Sequence, residues 1–199
     1  MRIYSLKRVQ NIPTTLDKAW DFFSSPLNLA RITPEELKFE ILRKISDSSS
    51  ITERSEGYDR GNRGGPTVLE PTKVMGEAPC QSRSDESLHF FDRVYAGQLI
   101  EYKLSPLPGF RVYWMTEITH VVPGRYFVDE QRRGPYRMWH HQHHFREIDG
   151  GVEMTDIVHY QLPLGVLGVL AHGLFVGRQV ERIFAYRCEK IEEIFGMIA

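Results

Sequence analysis

The residues best equipped for chemistry lie together in Trp139-His140-His141-Gln142-His143-His144-Phe145. On a strand, alternation puts Trp139, His141, His143 and Phe145 on one face and His140, Gln142 and His144 on the other. The aromatic pair marks its own face as the inward one, so two imidazoles are expected on an interior wall. Histidines at i and i+2 on a strand sit about 6.5–7 Å apart. That is close enough to share a metal ion if a third ligand, such as Glu130, Asp156 or His159, arrives from a neighbouring strand. Without it, the same histidines hydrogen-bond to carboxylates or tyrosines in a wall of mixed polarity, or recognise a ligand's polar group. The reading carried forward assigns no metal and no cofactor.

Beyond the turn Asp149-Gly150-Gly151, the residues Met154, Asp156, Val158 and Tyr160 share one strand face. A carboxylate among apolar neighbours is costly to bury unless it is paired. His141 or His143, across the hairpin, is the natural partner. Such a pair can act as a general base near neutrality or as a structural clamp. Glu130 and Gln131 on the preceding strand face opposite ways, and either can be the inward one. No nucleophile stands out: Cys188 falls among Phe184 and Ile191 on a helical face, and Cys80 lies in a polar stretch. Gly61-Asn62-Arg63-Gly64-Gly65-Pro66 lacks the Lys-Ser/Thr ending of a phosphate cradle.

These residues need a sheet to position them. Strand-like runs occur at Tyr4–Ile12, Leu37–Leu42, Gln98–Ser105, Phe110–His120, Tyr126–Arg133, Arg137–Ile148 and Val152–Leu162. From Gln98 onward short Pro- and Gly-containing turns separate them, which makes them antiparallel neighbours, since parallel crossovers need a dozen residues or more. Between the first two runs, Thr14-Thr15-Leu16-Asp17 and Ser25-Pro26 start two short helices. After Pro163 and Gly165 the period becomes helical: Leu167, Leu170, Leu174, Val180, Ile183, Phe184, Ile191, Ile194 and Phe195 form one stripe. A helix of about 30 residues, roughly 45 Å long, is best buried by a sheet that curls around it. Its glycines at 165, 168, 173 and 177 lower helix propensity and imply close packing against bare backbone. The apolar run Leu162–Leu170 reads as the cavity floor or as a lip that touches a membrane.

The chain of 199 residues carries a formal charge of −1 and is 41% hydrophobic, so a single domain with a normal core is expected over 1–199. Near-neutral charge gives no case for nucleic acid. The longest apolar run, Leu162–Val176, is too short to span a bilayer. Two widely spaced cysteines and no signal-like start point to a cytoplasmic protein. The stretch 46–92 is rich in Ser, Gly and charge, without a period, and reads as an atypical loop or disordered insertion.

The element order, together with Phe127-Val128-Asp129-Glu130-Gln131, Gly134-Pro135-Tyr136-Arg137-Met138-Trp139-His140-His141, His143-His144-Phe145 and Met154 through Gly165, resembles the START/Bet v 1-like (SRPBCC, polyketide cyclase/dehydrase-like) superfamily, and bacterial ligand-binding members in particular. Leu27-Asn28-Leu29 and Thr33-Pro34 agree at the other end. The resemblance implies an α+β helix-grip fold: a curved antiparallel seven-stranded sheet around a long C-terminal helix, with two short helices after strand 1. It also implies a cavity between sheet and helix, and the 46–92 insertion falls near where relatives place a loop at the cavity mouth. The expected function is binding, as carrier or sensor, of a small hydrophobic ligand such as a lipid, isoprenoid or polyketide. Trp114, Glu130, Trp139, His141, His143, Asp156 and Tyr160 are the expected cavity residues. The alternative is a cyclase/dehydratase-type lyase or isomerase using His141, His143 and Asp156 as acid–base groups. The small ligand is the main expected partner, with transient membrane contact and a protein partner for 46–92 as further readings.

Overall fold

A computed structural model describes residues 2–45, 93–107 and 109–198. The expected insertion at 46–92, with Cys80 and the Gly61–Pro66 turn, lies outside the described residues.

The chain opens with β1 (Tyr4–Ile12), which buries Leu6 and Ile12 on one face. Pro13 ends it. Thr15 then caps α1 (Leu16–Phe23) by accepting a hydrogen bond from Lys18 N, and Ala19, Trp20 and Phe23 form its buried side. Ser25 and Pro26 start α2 (Pro26–Leu29), where the proline's fixed φ suits the first helical position. A 3₁₀ turn at Glu35–Leu37 follows, closed by Lys38 in a left-handed conformation (φ 45°). Leu37 therefore completes a buried turn, and the next strand, β2 (Glu40–Ile45), starts later than the alternation alone implies.

Strands β3 (Leu99–Leu107), β4 (Phe110–Val122), β5 (Tyr126–Arg133), β6 (Met138–Ile148) and β7 (Gly151–Gln161) form an antiparallel meander. The sheet order is β1-β7-β6-β5-β4-β3-β2, so the first two strands become opposite edges and the two short helices connect them. Gly109, Gly124 and Gly150 take positive φ at the hairpin turns, where a Cβ would be strained. Register shifts on β4 against β5 bend the sheet.

The C-terminal segment contains α3 (Val166–Ala171), a π-helical turn (His172–Val176) and α4 (Gly177–Phe195). The expected long helix is thus interrupted near its start. The buried side of α4, with Val180, Phe184, Arg187 and Ile191, packs across the concave face of the sheet. The seven-stranded curved sheet, the long C-terminal helix and the short helices after β1 together make a helix-grip fold. No helix among the described residues is long and apolar enough to cross a membrane.

Candidate functional site

The β5–β6 and β6–β7 registers bring together residues far apart in sequence. Asp129 stands opposite His141, and His143 stands opposite Asp156. All four side chains point to the concave face, where α4 adds Arg187 from above. His141, His143 and Asp156 are each 5% exposed and Arg187 is 7% exposed. The rings of His141 and His143 lie 3.8 Å apart, centroid to centroid, tilted at 42°.

Both imidazoles are held between the two carboxylates. His141 Nε2 is 3.1 Å from Asp156 Oδ1, and His141 Nδ1 is 3.4 Å from Asp129 Oδ2. His143 Nδ1 is 2.8 Å from Asp156 Oδ1, and His143 Nε2 is 3.0 Å from Asp129 Oδ2. Arg187 Nε lies 3.4 Å from Asp156 Oδ2, and Arg187 Nη2 is 3.4 Å from His143 Nδ1. Thr116 Oγ1 donates to Asp129 Oδ1 at 3.3 Å.

Burial pushes the Asp156 carboxyl up, but Arg187 and the two histidines outweigh it and hold the group well below the usual carboxylate range. Burial likewise raises Asp129, and His141, His143 and Thr116 reverse the sign. Burial lowers His141, helped by the charge of His143, and the two aspartates do not fully compensate. His143 is also lowered by burial, yet its contacts with Asp129 and Asp156 leave it raised. The neighbouring imidazoles are thus driven in opposite directions, His143 toward the charged form and His141 toward the neutral one.

This cluster forms the polar end of a cavity of about 230 Å³ between α1, α2, the sheet and α4. Phe23, Tyr102, Trp114, Trp139, Ile183 and Phe184 supply much of the apolar wall, while Asp129, His141, His143 and Arg187 line the other end. The guanidinium of Arg187 also sits 5.9 Å from the Phe23 ring centroid and 6.0 Å from that of Phe184.

Of the residues singled out from sequence, Trp114, Trp139, His141 and His143 lie in the cavity wall. Asp156 stands behind the two histidines. Tyr160 faces inward but packs in a second cluster with Leu6, Val158 and Val180, its hydroxyl 2.9 Å from His172 Nε2. Glu130 is on the outer face, where His140 Nδ1 lies 2.9 Å from its Oε1 and Arg132 donates to its Oε2. Gln142 Nε2 donates to His140 Nε2, which leaves the Nδ1 hydrogen for Glu130. Asp129 and Arg187 were not singled out. Asp129 shares its strand face with Phe127 by alternation, and Arg187 interrupts the apolar stripe between Phe184 and Ile191. Those were the two available signals. Leu164, Val166, Leu167, Leu170 and Leu174, in the apolar lip at the start of the C-terminal helix, are exposed.

No protein-family model matches the sequence, and no curated protein does. Solved structures match over nearly the whole chain. A Chromobacterium violaceum protein aligns with a TM-score of 0.59 at 8% identity, covering 98% of each chain. Ginseng major latex-like protein 151 from Panax ginseng aligns with a TM-score of 0.55 at 10% identity, covering 97% of each. The fold is Bet v 1-like. A Thermus thermophilus protein, at 12% identity and a TM-score of 0.55, covers 96% of this chain and 95% of its own. At these identities the likeness carries the Bet v 1-like fold, not a ligand or an activity.

Proposed function

We propose that this Bet v 1-like chain binds a small, mostly apolar molecule bearing one polar group, as a carrier or sensor. The supporting observation is a cavity with aromatic and aliphatic walls that also presents Asp129 and the buried His141, His143 and Arg187. Its size narrows the ligand class. A cavity of about 150 Å³ accommodates benzene, so about 230 Å³ suits a body of one or two rings or a short isoprenoid. Trp114 and Trp139 lie edge to face with centroids 5.3 Å apart and together give the wall an aromatic surface for such a body.

Geraniol and 2-naphthol serve as probes. One equivalent of either should shift the indole N–H resonances of Trp114 and Trp139 in a ¹⁵N correlation spectrum while leaving outer-face resonances in place. Unmoved indoles at saturating amounts of both probes would contradict the reading.

A second reading, acid–base catalysis of the cyclase/dehydratase kind, draws support from the opposed tendencies of His141 and His143 beside the cavity. Loss of water from a β-hydroxyketone probe, slowed at least tenfold in folded His141→Gln, is the outcome it requires. Equal rates in the two proteins would remove it. The exposed Leu164, Val166, Leu167 and Leu170 support transient contact with a membrane, which co-sedimentation with phosphatidylcholine vesicles tests by comparing wild type with Leu167→Ser/Leu170→Ser. Equal sedimentation would count against it.

A further inference from the structure

The geometry points to a divalent transition-metal site built from His141 Nδ1, His143 Nε2 and Asp129 Oδ2, with Asp156 holding the far nitrogens of both imidazoles. Counting hydrogens leads to it. Four ring nitrogens face carboxylate oxygens, at 3.1, 3.4, 2.8 and 3.0 Å. Two neutral imidazoles carry only two N–H groups. If both hydrogens go to Asp156, the lone pairs of His141 Nδ1 and His143 Nε2 converge on Asp129 Oδ2. Three electron-rich atoms then face one another, all within 4.8 Å. Charging His143 alone would leave the His141 Nδ1 lone pair facing Asp129 Oδ2 at 3.4 Å, and charging both rings would set two imidazolium ions 3.8 Å apart beside Arg187. One divalent cation between the three atoms takes up all three lone pairs while both ring hydrogens stay on Asp156.

The spacing and surroundings agree. Nitrogen and oxygen donors lie about 2.0–2.2 Å from such an ion, which places neighbouring donors about 3 Å apart, as the 3.0 and 3.4 Å contacts to Asp129 already are. Asp156 would be the outer carboxylate that fixes the ring orientation of ligating histidines. Arg187 is on that same side, against Asp156 and the Nδ1 edge of His143, away from the three donor atoms. A set of two imidazoles and one carboxylate suits Zn²⁺, Fe²⁺ or Co²⁺ better than Mg²⁺ or Ca²⁺. Because the three donors line the cavity, the remaining coordination positions open into it. With Asp129, Asp156 and Arg187 charged, a divalent ion leaves the cluster one positive charge, which a hydroxide or an anionic oxygen of a cavity ligand would neutralise.

The test uses the full chain stripped of metal by a chelator and then titrated with Co²⁺. We expect visible absorption bands that saturate at one equivalent, and equilibrium dialysis should show one Zn²⁺ per chain. Asp129→Asn and His143→Gln should each weaken binding at least tenfold, and Asp156→Asn by about 10- to 100-fold. His140→Gln on the outer face should leave it unchanged. Circular dichroism confirms folding of each variant, and if His143→Gln fails to fold, Asp129→Asn decides. Absence of saturable binding to folded wild type overturns the site, as does binding that survives in folded Asp129→Asn. No organic ligand is used, so failure here leaves the cavity reading standing, and failure of the probe titrations leaves the metal site standing.

Discussion

Arg187 and Asp156 form the ion pair with the most at stake, because both side chains are buried and neither can turn to water. Removing one partner of such a pair commonly costs about 3–5 kcal/mol, since the other charge remains uncompensated. Arg187→Met should therefore destabilise the chain by about 3 kcal/mol in urea unfolding. Adding Asp156→Asn to it should recover part of that loss, and a strictly additive double mutant would show the two groups to be uncoupled. A second residue-scale prediction concerns His172, whose ring stacks on Tyr4 at 3.4 Å and meets the Tyr160 hydroxyl. Burial, with the charge of Arg2, holds its pKa below the ordinary 6.5. The folded state thus prefers neutral His172. Its contribution is complete above the unfolded value and is lost as pH falls through the lower folded one. An NMR titration of the His172 ring should give a midpoint below 6.5, moving up in Tyr4→Ala.

At the scale of elements, the start of the C-terminal helix carries four glycines that do different work. A Cβ on Gly168 would lie 2.2 Å from the Pro163 carbonyl oxygen, and one on Gly177 would lie 2.9 Å from the His172 ring. Gly165 has a positive φ of 53°. Gly173 meets nothing within 4 Å. Gly173→Ala should therefore stabilise by about 0.4–1 kcal/mol, whereas Gly168→Ala should destabilise by about 1–3 kcal/mol through backbone overlap. Thermal unfolding of the two variants measures both, and shifts of the same sign would contradict the packing described. The periodic pattern showed this segment to be helical and about 30 residues long. It could not show the π turn at His172–Val176, because a one-residue slip in hydrogen bonding leaves little trace in an apolar stripe.

For the whole molecule, the cavity is the volume that remains when α4 crosses a sheet bent by its register shifts. Leu104 and Ile183 line it from opposite walls. Leu104→Trp should fill part of this space, lowering probe affinity at least tenfold with little loss of thermal stability. Unchanged affinity for geraniol and 2-naphthol would place their binding elsewhere.

Much of this architecture was legible in the sequence. Alternation placed β3 to β7 to within a residue or two at most ends, the Thr15 and Ser25-Pro26 signals started the short helices, and antiparallel order followed from turn length. These are local properties, written in neighbouring residues. The inward face of β6 was legible for the same reason, because Trp139 and Phe145 flank His141 and His143. The tertiary structure decided the rest. The register of β5 on β6 placed Asp129 opposite His141, and alternation then turned Glu130 to the outer face. The crossing of α4 brought Arg187 to Asp156 from 31 positions away. Composition reports that a charge must be buried somewhere, but only the packed elements determine which opposite charge it meets.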